Sequence, residues 1–441
     1  MMQVKVSKFG GSSLCDSKQF KKVKDIVLSD DMRCYIVPSA PGKRSKSDYK
    51  ITDLLYLCHQ HVEKSLPFDE LFKLIEERYI SLCSELKLSI NMLEYLRVLK
   101  KKITDGASED FVASRGEYLN ALMLAEYLGY EFVDAAEIIV FTKSGRLDEK
   151  ATYAAINIRL SKVKKAVIPG FYGASYDGKI RTFSRGGSDI TGAIIAKGVG
   201  AAVYENWTDV SGFLMADPRI VNNPKPIKEV TYKELRELSY MGAHVFHEEA
   251  VFPVKNEGIP INIKNTNKPE EKGTFILNDK IEAKSGNITG IAGKKDFTVI
   301  NIEKTLMDKD IGYCRRVLTV LESNGVAFEH MPSGIDSISL VIDDSELENK
   351  TDKILEEIEK QCNPDSLIVH PNMALIAVVG EGMIKTRGIS ARVFSALAKG
   401  NINIRMINQG SSELSIIVGV ENEDFESAIK SVYKAFENKS I

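Results

Sequence analysis

Lys8 ends an alternating, strand-like run, Val4-Lys5-Val6-Ser7-Lys8, and is followed at once by Phe9-Gly10-Gly11-Ser12-Ser13. A strand that ends in a cation and turns through two glycines and two serines puts bare backbone N–H groups and a positive charge at the start of the next helix. That arrangement suits phosphate. Taken alone, the glycine pair reads equally well as a tight strand-to-helix turn. A second turn of the same make, Ser184-Arg185-Gly186-Gly187-Ser188-Asp189, precedes an apolar helical run over 190–197. Two such turns in one domain point to two phosphate or carboxylate contacts. Arg185 can grip a carboxylate through paired hydrogen bonds, and Ser188 can cap the helix or donate to a ligand. Asp189 on its own would do no more than complement the helix dipole. In Ala113-Ser114-Arg115-Gly116-Glu117 the Ser114 and Glu117 spacing is that of a capping box, which predicts a helix start there; the chemical alternative is a carboxylate that holds an ammonium. No Gly-x-x-x-x-Gly-Lys-Ser/Thr loop occurs. Gly198-Val199-Gly200 runs on into Ala201-Ala202-Val203 instead of following a strand, so neither large class of nucleotide loop is indicated.

The elements that must position these groups alternate. Short β-branched runs (34–37, 138–140, 166–168, 201–203 and 259–263) are separated by longer helical patterns from residue 1 to about 285. This predicts an α/β domain with a mainly parallel sheet sandwiched by helices, which binds ligands at the carboxyl ends of its strands. Between 60 and 125 the pattern is strongly helical, as in Leu71, Leu74, Ile75 and Tyr79, and predicts a helical layer or lid. The Pro, Gly, Ser and Lys stretch 41–48 before it has loop composition and could move over a substrate.

Beyond residue 285 the texture becomes a repeat. Strand 297–302, helix 313–324, strands 327–331 and 337–342, helix 351–362 and strand 366–370 predict a βαββαβ ferredoxin-like module. The order recurs with 374–379, 388–399, 402–409, 413–420 and 425–436, but without a fourth strand. The segment 287–292 could fill the open edge. The expected organisation is an α/β domain over 1–285 and a region of ferredoxin-like modules over 286–441. Its first module, 296–371, is inserted in a second made of 286–295 plus 372–441.

Composition narrows the partners. The 441 residues carry 59 Lys and Arg against 61 Asp and Glu, a formal net charge of −2 with the signs interleaved, so nucleic acid and anionic membranes are poor partners. The six cysteines are scattered without zinc spacing, and no apolar run reaches the ~20 residues of a membrane-spanning helix. A cytoplasmic location is expected.

Lys8 to Ser13 resembles the lysine-phenylalanine-glycine-glycine opening of aspartate kinases, within the amino-acid kinase superfamily. Arg115-Gly116-Glu117, Arg185 to Asp189, Trp207-Thr208-Asp209-Val210 and Ala216-Asp217-Pro218-Arg219 match further family motifs in the same order. Gln409 to Glu413 resembles the signature of the last ACT module in these enzymes. The resemblance spans essentially the whole chain. It implies phosphorylation of the side-chain carboxylate of L-aspartate by ATP with Mg2+, with Lys8 bridging the phosphates and Asp189 orienting Lys8. Gly10, Gly11 and Ser12 would line the phosphate loop. Aspartate would be held by Ser39, Thr52, Glu117, Arg185 and Ser188.

The nucleotide would meet Thr208, Asp209, Arg219 and Lys264, with His244 and Val245 in the stretch where the family commonly has a lysine at position 244. Leu214 stands where some relatives have a tyrosine. No metal ligand from protein side chains is indicated. Tandem ACT modules imply feedback by an amino acid, lysine with threonine as a second candidate. The effector pocket would be formed by Met307, Asp310, Gly312, Tyr313, Phe328, Glu329 and Ser333. A homodimer or dimer of dimers through the ACT modules is implied. The competing readings are a sister kinase acting on glutamate, acetylglutamate, carbamate or a nucleoside monophosphate, and a sensor that binds lysine without turnover. A bifunctional kinase and homoserine dehydrogenase is not expected, given the length and the missing dinucleotide fingerprint.

Overall fold

Strand Arg33–Pro38 is buried along its whole length, and Lys5–Phe9 along all but its first residue. Such runs belong in a parallel sheet covered on both faces. The computed structural model describes residues 3–184, 186–242, 252–279 and 287–437. They divide into two compact units: Met1–Phe213, Pro226–Tyr232 and His244–Lys280 form the first, and Leu214–Lys225, Lys233–Ala243 and Ile281–Ile441 the second.

In the first unit an eight-stranded sheet runs in the order Glu131–Phe132, Ala166–Val167, Arg33–Pro38, Lys5–Phe9, Val203–Thr208, Ile261–Asn265, Thr274–Leu277, Glu229–Thr231. Every pairing is parallel except that of Ile261–Asn265 with Thr274–Leu277. This is the mainly parallel, helix-flanked sheet expected. Lys5–Phe9 lies centrally, with its carboxyl end level with those of Arg33–Pro38 and Val203–Thr208, where Phe9 stands opposite Pro38 and Trp207. Phe9 and Trp207 stack at 5.9 Å. The helical layer consists of Ile51–Glu63, Asp69–Leu86, Met92–Thr104 and Glu109–Leu128.

Two local expectations change. The helix carrying Glu117 starts at Glu109, where Ser108 caps it by accepting from the Phe111 N–H; Ser114 lies inside it and donates back to the Phe111 carbonyl. Ser114 and Glu117 are therefore not a capping box. The run 138–140 is split, because Asp134 caps a short helix, Ala135–Ile138, and leaves only Val140–Phe141 as strand.

The second unit is built on a five-stranded antiparallel sheet in the order Ser337–Asp343, Gly290–Glu303, Ser366–Val379, Ser415–Glu421, Met406–Asn408. Its two 14-residue strands run through both halves. Gly290 to Lys294 pair with Val379 to Leu375, and Phe297 to Glu303 with Met373 to Ser366, the register shifting between. Helices Tyr313–Ser323 and Thr351–Cys362 bury one half of the sheet, and Ile389–Lys399 and Phe425–Glu437 the other. The strand expected at 327–331 is reduced to a bridge from His330 to Val341, and that expected at 402–409 to Met406–Asn408. Pro332 has no N–H to donate, but its carbonyl accepts from the Ser339 N–H, and a second bridge joins Ser333 to Ile338.

Candidate active site

Lys8 reaches the carboxyl edge of the sheet, and its ammonium meets Asp189 Oδ1 at 2.6 Å. Asp189 sits in the first turn of helix Gly187–Val199, entered through Gly186 at a φ of 77°. Two strand residues hold it: Asn206 Nδ2 donates to Oδ1 at 2.8 Å, and the Tyr204 hydroxyl donates to the Asp189 carbonyl at 3.0 Å. The cation is thus placed by an acid that is itself fixed from the neighbouring strand.

The glycine turn after Lys8 is shaped by close backbone approach. A Cβ at Gly11 would lie 2.9 Å from the Ala40 carbonyl oxygen, and one at Gly42 would lie 2.6 Å from the Gly11 carbonyl carbon. The Gly42 N–H donates to the Gly11 carbonyl at 2.9 Å. Only glycine lets the turn at 10–13 and the turn at 39–42 share this space.

Around Lys8 and Asp189 a cavity of about 210 Å³ is lined by Ser39, Thr52, Glu117, Phe171, Gly186, Gly187 and Ser188. Six sequence-selected residues, Lys8, Ser39, Thr52, Glu117, Ser188 and Asp189, therefore meet at one place, brought from five separate stretches of chain. Ser39 follows strand Arg33–Pro38, and its N–H donates to the Phe9 carbonyl. Thr52 lies in the first turn of helix Ile51–Glu63. Glu117 is buried, and its Oε2 has no hydrogen-bond partner among the described residues. Burial pushes its carboxyl up to about 7; the Ala40 N–H and the Arg115 and Lys8 charges pull less strongly the other way. A buried carboxylate oxygen without a partner is costly unless a donor arrives.

Other candidates stand elsewhere. Gly10, Gly11 and Ser12 do not line the cavity, although a Cβ at Gly10 would be 3.6 Å from the Lys8 ammonium. Thr208 ends strand Val203–Thr208 and donates to Asp209. The Lys264 ammonium donates to the Glu271 carbonyl at 2.8 Å and lies over the Trp207 ring, and burial lowers its pKa. Arg219 belongs to the second unit and is paired with Asp217. Arg185, His244 and Val245 lie outside the described residues. Arg115 does not line the cavity: its guanidinium bonds Ser114 Oγ and is packed among the rings of Phe111, Tyr118 and Tyr172. Sequence reasoning missed Phe171, a cavity wall held at a φ of 81°, a rare conformation for a bulky side chain. Its place directly after Pro169-Gly170 was the available signal.

Residues 3–265 match the amino acid kinase family model, and residues 376–436 match the ACT domain. The chain is 40% identical over 98% of both sequences to aspartokinase 3 of Bacillus subtilis. It superposes on the aspartate kinase of Clostridium acetobutylicum with a TM-score of 0.94 and 62% identity, over 99% of this chain and 100% of that one. The chain belongs to the aspartate kinases. A more distant member, E. coli aspartokinase III in complex with aspartate and ADP, gives a TM-score of 0.74 at 25% identity, over 99% of this chain and 100% of that one. Family membership makes this chain a kinase with ACT-type regulatory structure. Among the described residues, no helix is long and apolar enough to cross a membrane.

The residues expected to form an effector pocket lie in the second unit. Met307 and Tyr313 are buried in the core of the first half-sheet, and the Tyr313 hydroxyl has no partner among the described residues. Gly312 turns the chain into helix Tyr313–Ser323 at a φ of 87°. Asp310 is paired with Arg316 at 2.6 Å, which holds its carboxyl below the usual range. Ser333 bridges to Ile338, and Phe328 is partly exposed. Glu329 faces the Tyr240 hydroxyl, whose pKa is raised to about 12 by burial first and by this carboxylate second.

Proposed function

We propose that the protein transfers the γ-phosphoryl group of MgATP to the side-chain carboxylate of L-aspartate, giving 4-phospho-L-aspartate, the first step toward lysine, threonine and methionine, and that lysine inhibits it. One observation carries the catalytic reading. A cation fixed by Asp189 and a buried, half-unpartnered Glu117 face the same small cavity. The first suits a phosphoryl group and the second an α-ammonium. At about 210 Å³ the cavity is smaller than the ~300–1,000 Å³ typical of drug-sized ligands, which favours an amino acid over a nucleoside monophosphate as acceptor.

The chemistry needs no base. A free carboxylic acid of pKa ~4 is ionised at neutral pH, so an aspartate side-chain oxygen is already a nucleophile. It attacks the γ-phosphorus in line; the bond from that phosphorus to the β,γ-bridging oxygen breaks, and ADP leaves with the electron pair. No proton moves. The barrier lies in bringing two anions together, which Lys8 and the N–H groups of the 10–13 turn would lower by neutralising charge that spreads in the transition state. Glu117 would take the substrate ammonium, and that ammonium would return its carboxyl to the ionised form. Ser39, Thr52 and Ser188 supply hydroxyls for the carboxylates, and Arg185 a guanidinium. Thr208 and Asp209 would meet the nucleotide, together with Lys264, His244 and Val245. Magnesium would arrive on the ATP phosphates as part of the substrate.

For regulation, the ACT match and the Glu329 carboxylate on the first half-sheet support a lysine effector, with threonine as the second candidate and a homodimer through the ACT modules as the regulated assembly. The test is ATP turnover with L-aspartate and magnesium, the acyl phosphate trapped with hydroxylamine, with and without lysine or threonine. Aspartate hydroxamate that falls on adding lysine is the expected result. ATP consumption without hydroxamate, or lysine binding without turnover, would overturn the reading in favour of another acceptor or a sensor.

A further inference from the structure

Helix Glu109–Leu128 touches the turn at 39–42 through three positions on one face. A Cβ on Gly116 would lie 2.9 Å from the Ala40 Cβ, so the helix passes directly against the turn. Glu117 meets the Ala40 N–H with its carboxylate. One turn further on, Asn120 is fully buried, and its Nδ2 donates to the Ser39 carbonyl at 2.6 Å. Positions 116, 117 and 120 share a helix face by the 3.6-residue repeat. The gripped turn is the one whose Gly42 N–H bonds the Gly11 carbonyl and whose Ser39 N–H bonds the Phe9 carbonyl. A rigid chain of hydrogen bonds therefore runs from the helix carrying Glu117, through the Ser39 to Gly42 turn, to the glycine turn beside Lys8.

From this geometry we infer that Asn120 is a positioning residue for phosphoryl transfer. By holding the Ser39 carbonyl it sets the spacing between the acceptor side of the cavity, at Glu117 and Ser39, and the phosphate side, at Lys8 and the 10–13 turn. Asn120 does not line the cavity, so it acts through Ser39. Its Oδ1 is buried without a partner among the described residues. The inference rests on the acyl-phosphate reading above, because only a reaction between two separately bound groups depends on that spacing.

The test compares Asn120→Asp, which removes the donor at nearly constant volume, with Asn120→Ala, which removes it without burying a charge. The full-length protein is used, and each variant is checked for fold by circular dichroism and melting temperature. Misplacement by a fraction of an ångström to an ångström lowers rates by about 10- to 100-fold in well-oriented reactions. The expected result is a fall of that size in kcat for hydroxamate, a smaller change in the aspartate KM, an unchanged ATP KM, and ADP released in excess of trapped acyl phosphate as water replaces the misaligned acceptor. Loss of melting temperature with kcat and the ADP-to-hydroxamate ratio unchanged would make Asn120 merely structural and overturn the inference. If Asn120→Asp does not fold, Asn120→Ala decides by the same two readouts. A wild-type protein that gives no hydroxamate would instead withdraw the functional reading, and this inference with it.

Discussion

The cavity of the first unit and the candidate effector region of the second use similar residues in opposite ways. At the cavity, charge is held ready and left incomplete: Lys8 has Asp189, but Glu117 is buried with an oxygen unpartnered and a carboxyl pushed up to about 7. In the effector region the charges are already spoken for within the chain, Asp310 by Arg316 and Glu329 by the Tyr240 hydroxyl. A site that must bind and react stores an unmet demand for a donor. A site that reports binding has to exchange one partner for another, so its ligand acts only through differential affinity for two arrangements.

The largest effect that could break this comparison is at Lys8. Lys8→Ala should lower kcat by about 100- to 1,000-fold, as expected for loss of one group aimed at developing charge, with the fold intact by circular dichroism. Near-normal turnover would remove Lys8 from the chemistry.

Glu117→Gln should come next. Leaving the substrate ammonium without its buried counter-charge costs about 3 kcal/mol, a rise of roughly 100-fold in the aspartate KM. The same variant sharpens the claim of unmet demand through pH. In the ligand-free protein the Glu117 carboxyl titrates near 7, above its unfolded value, so the native state holds the extra proton between those two values and the wild type loses stability as pH rises through that interval. The glutamine cannot ionise. Glu117→Gln should therefore match the wild type in melting temperature near pH 4 and exceed it at pH 8, by up to about 3 kcal/mol for a shift of this size. Parallel melting curves across that range would mean that Glu117 is not held against its charge.

Glu329→Ala should weaken lysine inhibition by about 10- to 100-fold, the worth of one charge-assisted hydrogen bond, and leave uninhibited turnover unchanged. Unchanged inhibition would move the pocket away from Glu329. The smallest effect is expected from Asp310→Asn, which releases Arg316 at the surface. The inhibition constant should move less than for Glu329→Ala, and an equal or larger shift would centre the pocket on the 307–313 turn instead.

Most of the cavity is legible in the sequence because its residues sit at strand ends and helix starts, where glycine and charge leave local marks. Lys8 with Gly10 and Gly11, and Asp189 after Gly186 and Gly187, are of this kind. What escapes is set by tertiary approach. Asn120 carries no local signature, since its role is defined by a carbonyl 81 residues away, and Phe171 is marked only by its place after Pro169-Gly170, the backbone angle itself being set by tertiary structure. Arg115 shows that a family motif does not by itself bring every one of its side chains to the cavity. A guanidinium within a functional-looking motif is spent on three aromatic rings and a serine. Ser114 was misread because a cap six residues earlier, at Ser108, satisfies the helix start first. In the second unit the alternation of strands and helices follows from the repeating pattern, while the segment expected as strand at 327–331 keeps only the bridge from His330 to Val341.

The two long strands of the second unit impose an order on folding. Phe297 to Glu303 find partners in Ser337–Asp343 and in Ser366 to Met373, so the half-sheet between them can close once the chain has been made to about residue 373. Gly290 to Lys294 wait for Leu375 to Val379, and that half is completed only when Ser415–Glu421 has been added. During synthesis the inner half would therefore template the outer one, because loop closure favours the pairing with the shorter intervening chain. The regulatory half then matures last, after the strands that carry Lys8 and Asn206 have already been made.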